Sequence, residues 1–389
     1  VPNRRALLAA LAAATAAGVA PAAGAVTLQP IMSAGTRGGT ALVLSGGGAA
    51  GAYEAGVIEG LVRGAGVTDG QALPGIDTVV GTSIGAINGW FVATAQYTTL
   101  RTAWQTIASS DIFRPKRAYA KLEMPSAGVA TRLTEGLSLL GNLNRSMGGI
   151  FDPGPIKAWL RAHVDPQRPI VVPFVFNAAD IRNLRAAYFY AIDSAVEPAS
   201  EIHVRSALTS ISGLPVRTHD AKPILHDALY ASIALPLLLD PIELVIDGTP
   251  GLFVDGGSAD NTAIDVARVV ARRINAVFVD PATTTYAPTN AIGAGLGSFN
   301  LLQRRVLDAS LRAAYEATTL KRVFAGATLD ADQRAYLDGV YDVDLGVLRP
   351  AIELPTQTGD FHDPAKLGAA YALGLADAAR GWTPYTPPA

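Results

Sequence analysis

Gly81-Thr82-Ser83-Ile84-Gly85 stands between Ile76-Asp77-Thr78-Val79-Val80 and Ala86-Ile87-Asn88-Gly89-Trp90-Phe91-Val92-Ala93. The short apolar run before it reads as a buried strand, and the segment after it as a helix. G-x-S-x-G in that setting is a nucleophile elbow. Its turn is so sharp that only glycine tolerates the crowding on either side, which explains Gly81 and Gly85. The serine hydroxyl is lifted above the sheet edge, and the next helix aims its N-terminus at the reacting atoms. A bare G-x-S-x-G is also an ordinary Gly/Ser turn. The strand-then-helix setting is what makes Ser83 the candidate nucleophile.

The same arrangement occurs once upstream. Ala41-Leu42-Val43-Leu44 reads as a strand and runs into Ser45-Gly46-Gly47-Gly48-Ala49-Ala50-Gly51. A helix follows from about Ala52 to Gly64, with Val57, Ile58 and Leu61 on its apolar face. Strand–helix–strand–helix with short loops implies parallel strands joined by right-handed crossovers. A serine hydroxyl needs donors for the oxyanion formed on attack. Gly46, Gly47 and Gly48 lie where backbone N–H groups can converge with no side chain in the way. The stretch Gly46-x-Gly48-x-x-Gly51 also matches a dinucleotide-binding fingerprint. The acidic residue at the right distance, Asp69, sits in a Gly-rich loop rather than at a strand end. The nearby elbow accounts for the glycines better, so no nucleotide is expected.

Downstream, Leu100 to His163 has few strand signals; Val129, Leu133, Leu137 and Leu140 fall at helical spacing, and the stretch reads as a cover. Such a stripe more often packs on the core than meets lipid. Strands are expected at Ile170–Phe176, Ala187–Ile192, Leu252–Val254 and Ala276–Val279. Helices are expected at His226–Ala234, Thr262–Ile274, about Ser298–Phe324 and Ala365–Arg380. Residues 41–382 then form one domain with 100–163 as the inserted cover, and 383–389 are a loose tail.

The chain has 389 residues, 31 basic and 33 acidic, so a net charge of -2 gives no long-range pull on nucleic acid. No basic stripe with interleaved aromatics is present, so no nucleic-acid partner is expected. The absence of cysteine excludes disulfides, thiolate metal sites, a cysteine nucleophile and a lipidated cysteine anchor. Asn3-Arg4-Arg5, the apolar run Ala6 to Ala20, and Ala23-Gly24-Ala25 read as a signal peptide cut after Ala25, with 26–40 a linker. Arg4-Arg5 followed by Leu7-Leu8 resembles a twin-arginine signal. The expectation is an exported protein, periplasmic or secreted, with no transmembrane helix after cleavage.

The general base has two candidates. Of five histidines (His163, His203, His219, His226 and His362), His362 comes late, as in a Ser–His–Asp esterase. Asp255 ends a strand, and Gly256-Gly257 leaves room above it, although Asp-Gly is also a common turn. A carboxylate is a weak base toward serine unless poorly solvated, so a Ser–Asp pair needs an enclosed site.

Four features in order resemble the patatin-like phospholipases, a family of serine acyl hydrolases. They are Gly46-Gly47-Gly48-Ala49-Ala50-Gly51-Ala52-Tyr53, Gly81-Thr82-Ser83-Ile84-Gly85-Ala86-Ile87-Asn88, Ala231-Ser232-Ile233-Ala234-Leu235-Pro236 and Asp255-Gly256-Gly257. The resemblance spans about Ala41 to Asn261, and more loosely reaches the C-terminal helix. It implies an α/β class, three-layer α/β/α fold around a mainly parallel central sheet. It also implies a Ser83–Asp255 dyad, an oxyanion loop at Gly46–Gly48, and motif glycines Gly51, Gly81, Gly85, Gly256 and Gly257. The implied reaction is hydrolysis of lipid carboxylic esters through an acyl-serine, of phospholipase A, lysophospholipase or esterase type. No metal or cofactor is required; the partners are a lipid or fatty ester and, peripherally, a membrane. Two departures stand out. Ala50 replaces the family's usual Arg or Lys, which raises the alternative of a non-catalytic or weakly active lipid-binding protein. Asn261-Thr262-Ala263 lacks the usual proline.

Overall fold

The apolar runs that lead into the two glycine motifs become neighbouring parallel strands, with Leu42 opposite Val79 and Leu44 opposite Gly81. The computed structural model describes residues 39–117, 148–193, 216–246, 248–282, 291–356 and 359–387. In chain order the main elements are β1 (Thr40–Leu44), α1 (Gly51–Ala65), β2 (Thr78–Thr82), α2 (Ile84–Ala93), α3 (Tyr97–Thr106), α4 (Gly154–His163), β3 (Phe174–Asp180) and β4 (Arg185–Ala191). They continue with β5 (Val216–Asp220), α5 (Leu225–Ile233), β6 (Ile242–Ile246), β7 (Thr249–Asp255), α6 (Ile264–Val270), β8 (Arg273–Val277), α7 (Ala291–Phe324), α8 (Ala331–Asp338), β9 (Asp344–Leu348), α9 (Pro364–Ala378) and β10 (Thr383–Pro384). All lie in the unit Ala34–Ala389; a second unit, Val1–Ser33, lies outside the described residues. So do the signal peptide read over 1–25, most of the linker, and the Val129–Leu140 stripe.

The sheet runs in the order β10-β9-β8-β1-β2-β3-β4-β5, with β7 paired to β3 and β6 to β7. Its centre, from β9 through β3, is parallel, as the short strand–helix loops require. Antiparallel pairing is confined to the margins, at β3–β4, β3–β7, β6–β7 and β9–β10. Parallel strands bury both faces, and β1 does so by alternation. Leu42 and Leu44 join a core with α1, α2, α3, α5 and α9; Ala41 and Val43 join a second core with α6 and with Leu311 and Ala314 of α7. The result is helices on both faces of one mainly parallel sheet, as the resemblance implied.

Two glycines set how closely α1 and α9 cross. A Cβ on Gly56 would lie 2.0 Å from the Tyr371 carbonyl oxygen, and one on Gly374 would lie 1.9 Å from that of Tyr53. The contact is backbone on backbone, so neither position accepts a side chain.

Several boundaries differ from the sequence reading for definite reasons. β3 starts at Phe174 rather than Ile170, because Val171 and Val172 give their N–H groups to the carbonyl of Ala93, at the end of α2. The helix expected over Thr262–Ile274 ends at Val270, and Arg273 already pairs with Thr40 in the sheet. Thr40, assigned to the linker, belongs to β1, and Thr383–Pro384, assigned to a loose tail, pairs with β9. The ends of the expected cover do pack on the core, through buried Leu100, Trp104, Ile112, Ile156 and Leu160. No helix among the described residues is long and apolar enough to cross a membrane.

Candidate active site

Ser83 sits on the turn between β2 and α2 with φ 53° and ψ −125°. A non-glycine residue held at positive φ costs of order 1–3 kcal/mol and persists only where its surroundings over-determine it. The flanking glycines do so. A Cβ on Gly81 would lie 2.4 Å from the Gly85 carbonyl oxygen, and one on Gly85 would lie 2.4 Å from that of Leu44. The elbow is therefore wedged between its own helix and the end of β1. The Ser83 N–H donates to the Ser232 hydroxyl at 3.0 Å, which ties the turn to α5. Ser232 was visible only as part of a motif, with no role attached.

Asp255 lies 172 residues away in sequence, and one strand edge closes that gap. Along a single edge of β3, Thr82 of β2 stands opposite Asn177, and Asp255 of β7 stands opposite the next residue, Ala178. β2 and β7 thus meet end to end, and Ser83 and Asp255 are the residues at the junction. The Ser83 hydroxyl donates to Asp255 Oδ2 at 2.5 Å, and the Gly257 N–H donates to Oδ1 at 2.7 Å. The Asp255 N–H donates to the Ala234 carbonyl at 2.9 Å. A Cβ on Gly256 would lie 2.5 Å from the Asn177 carbonyl oxygen, so the turn after the aspartate needs glycine there.

Asp255 is 2% exposed. Burial pushes its carboxyl up to about 6, partly offset by the hydrogen bonds from Ser83 and Gly257. It is ionised at neutral pH yet more basic than an ordinary aspartate, which suits proton abstraction. The described histidines stand elsewhere. His163 stacks on Trp159, His226 bonds to the Val164 carbonyl, and His362 is exposed on the turn before α9. His203 and the side chain of His219 lie outside the described residues.

In the glycine loop, Gly46 gives its N–H to the Asn261 carbonyl at 2.9 Å. That leaves Gly47 and Gly48 as the loop glycines whose N–H groups no described bond occupies. Space is tight throughout: a Cβ on Gly47 would lie 2.5 Å from Val279, and one on Gly51 would lie 2.5 Å from Ile84. Gly48 has φ 58°, in the left-handed region.

A polar network behind this loop was not foreseen. Glu54 of α1 is fully buried and accepts from Asn88 at 3.0 Å and, weakly, from the Ser45 hydroxyl at 3.4 Å. Asn88 also donates to the Gly51 carbonyl and accepts from Trp104 Nε1 at 2.8 Å. Burial pushes Glu54 up to about 8, so it is neutral at neutral pH. An acid inside the small and apolar run Ala52-Tyr53-Glu54-Ala55-Gly56-Val57 was the available signal. Among the described residues no cluster of three or more His, Asp or Glu could hold a metal.

Ser83 and Asp255 open into a cavity of about 700 Å³. Much of its lining is apolar, with Ile87, Phe91, Trp104, Phe113, Trp159 and Leu239 among its walls. Gln303, Arg304 and Glu353 line it as well. The volume falls in the usual range of pockets that enclose a small molecule.

The family model described as Patatin-like phospholipase matches residues 42–268, more than half of the chain. That span contains the glycine loop, the elbow and the aspartate turn. No curated protein matches the sequence. Among solved structures, VipD from Legionella pneumophila is similar at 13% identity and a TM-score of 0.39. The similarity covers 88% of this chain, and the chain spans 66% of the VipD chain.

Proposed function

Since the chain belongs to the patatin-like phospholipase family, whose substrates are lipid esters, we propose that Ser83 and Asp255 are its catalytic dyad. Ser83 Oγ attacks the ester carbonyl carbon while Asp255 Oδ2 takes the hydroxyl proton. The oxyanion is met by the N–H groups of Gly47 and Gly48, with the N-terminus of α2 behind it. The tetrahedral intermediate collapses, Asp255 returns the proton to the leaving alcohol, and the acyl group stays on Ser83. Water, deprotonated by Asp255, then releases the fatty acid. The acyl chain lies against the apolar residues that line the cavity. Gly46 keeps a structural part, since its N–H is already committed to Asn261.

The observation that carries this reading is the 2.5 Å hydrogen bond between Ser83 and a fully buried carboxylate. Ser83→Ala and Asp255→Asn are each expected to lower turnover of a soluble chromogenic fatty ester at least roughly a thousandfold. An undiminished rate in either variant rejects the dyad. Ala50 favours one other reading, lipid binding without turnover, because it lines the cavity where the family usually has a cation. Intact lipid affinity with no fluorophosphonate labelling of Ser83 would support that reading. The basic, apolar and small-residue pattern before Val26 supports export.

A further inference from the structure

The inward stripe of α7 changes character where it reaches the active site. Leu307, Leu311 and Ala314 follow one another at helical spacing and pack in the second core. Gln303 stands one turn before Leu307 on the same face, half-buried, and lines the cavity with Asp255 and Asn261. An aliphatic side chain would continue the packing there, yet the position holds an amide.

That amide meets the aspartate turn. A Cβ on Gly257 would lie 2.2 Å from Gln303 Nε2, 2.7 Å from Asn261 Oδ1 and 2.9 Å from Asp255 Oδ1. Three polar atoms from separate segments thus converge around one point, and the lack of a side chain on Gly257 keeps it clear. A Cβ on Gly46 would meet the same Asn261 oxygen at 2.3 Å and Ser83 Cβ at 3.2 Å. Asn261 therefore stands between the nucleophile and Gln303. Its Nδ2 donates, at 3.4 Å, to the Gly46 carbonyl. No described hydrogen bond engages Asn261 Oδ1 or the Gln303 amide.

We propose that Gln303 and Asn261 hold the water that releases the acyl group from Ser83. The inference rests on the dyad reading and adds what positions its second nucleophile. In the acyl-enzyme, Ser83 Oγ is esterified and no longer donates to Asp255. The water gives one hydrogen to Asp255 and the other to Asn261 Oδ1, and accepts from Gln303 Nε2. One lone pair is left for the acyl carbon, and fixing its direction is what the two amides contribute. The oxygen–carbon bond forms as the proton passes to Asp255. The bond from carbon to Ser83 Oγ then breaks, the proton returns to Oγ, and the fatty acid leaves. Acylation uses Ser83 itself as nucleophile and needs no such water. Losing the Gln303 amide should therefore slow the second half-reaction and spare the first.

Gln303→Met keeps the length of the side chain and removes the amide. Wild type and variant are each mixed with p-nitrophenyl butyrate. Release of p-nitrophenol reports acylation, and the mass of acid-quenched protein reports the butyryl group on Ser83. The variant should acylate within about threefold of the wild-type rate. Its kcat should fall at least about tenfold with KM falling in proportion, so that kcat/KM holds. Butyryl-Ser83 should accumulate beyond the wild-type level. A variant that accumulates no more acyl-enzyme than wild type overturns the proposal. So do equal losses in acylation and in kcat, which would mean that Gln303 only props the aspartate turn. A wild type inert toward the ester overturns the dyad reading instead. Should Gln303→Met fail to fold, Gln303→Ala, which also suits a helix, carries the same comparison.

Discussion

Asp255→Asn should inactivate the protein and stabilise it. The carboxyl is fully buried, and burial pushes its pKa from 3.8 to about 6. At 1.36 kcal/mol per pKa unit, ionising this group costs the folded state about 3 kcal/mol. The folded-state pKa is the raised one. The native state is therefore favoured by holding the proton below pH 4, and loses that advantage as pH rises through 6. At pH 8 the wild type carries the full cost of a desolvated anion. Asparagine carries none, and it can meet both partners: its carbonyl accepts from the Gly257 N–H, and its amide donates to Ser83 Oγ. The anion's stronger hydrogen bonds are lost, which trims the gain to about 1–3 kcal/mol. For a unit of roughly 350 residues, each kcal/mol moves the melting temperature by about 1.4 °C, so the variant should melt ~1–4 °C higher at pH 8. The gap should close as the pH is lowered toward 4. Thermal melts of both proteins at pH 4.5 and pH 8, beside an ester assay, decide the matter. A variant no more stable than wild type at pH 8, or a gap independent of pH, refutes the electrostatic reasoning. The same pKa predicts an acid limb near pH 6 in the wild-type kcat/KM profile.

Two further expectations follow from the same contacts. Glu54, pushed up to about 8 by burial, becomes an anion behind the proposed oxyanion loop only in alkaline solution. Glu54→Gln should keep the neutral-pH rate within about threefold and remove an alkaline limb in kcat/KM between pH 7 and 9.5, whereas Glu54→Ala, which leaves the buried Asn88 amide short of a partner, should cost about 1–3 kcal/mol in urea unfolding. An alkaline limb that survives in Glu54→Gln would falsify this role. Gly85→Ala, whose Cβ would lie 2.4 Å from the Leu44 carbonyl oxygen, should lose more than about 4 kcal/mol or fail to fold, while Gly64→Ala, which meets nothing within 4 Å, should gain about 0.5–1 kcal/mol. Comparable stabilities for these two alanine variants would contradict the steric account of the elbow.

What the sequence disclosed depended on how local each feature is. The elbow and the glycine loop each fit in a window of about ten residues, and their glycines mark backbone conflicts that nearby residues create. Leu42 and Val43, alternating between faces, likewise give the layers away. Asp255 is different. Nothing in Leu252-Phe253-Val254 says that this strand takes the edge of β3 that β2 has just vacated. That placement came only from resemblance, because strand pairing across the chain has no local signature. The hairpin β6–β7 was missed although Asp247-Gly248 is a two-residue turn signal and β6 shows Leu244 and Ile246 buried against Glu243 and Val245 exposed. β9 was missed for a related reason. Its five residues include an aspartate and a glycine, and it is a strand because β8 provides a parallel edge. Glu54 was passed over because a helix periodicity search counts apolar positions and is blind to the one acid among them.

The replacement of the family's usual cation by Ala50 weighs less once the charges of the proposed reaction are followed. A serine activated by histidine creates two charges at once, an imidazolium and an oxyanion, and the site must stabilise both. Here the negative charge exists beforehand on Asp255. When the proton passes from Ser83 to Asp255, that charge moves a few ångströms to the oxyanion and the total does not change. The barrier then depends on how uncomfortable the charge is at its origin against how well it is received. Burial makes the origin poor, which is why the carboxyl stands at about 6. The N–H groups of Gly47 and Gly48, which no described bond occupies, and the first turn of α2, make the destination good. Glu54 remains neutral beneath them at neutral pH, so no second negative charge opposes the transfer. A cation at position 50 would deepen the receiving end, but the gradient from desolvated carboxylate to donor-lined loop exists without it.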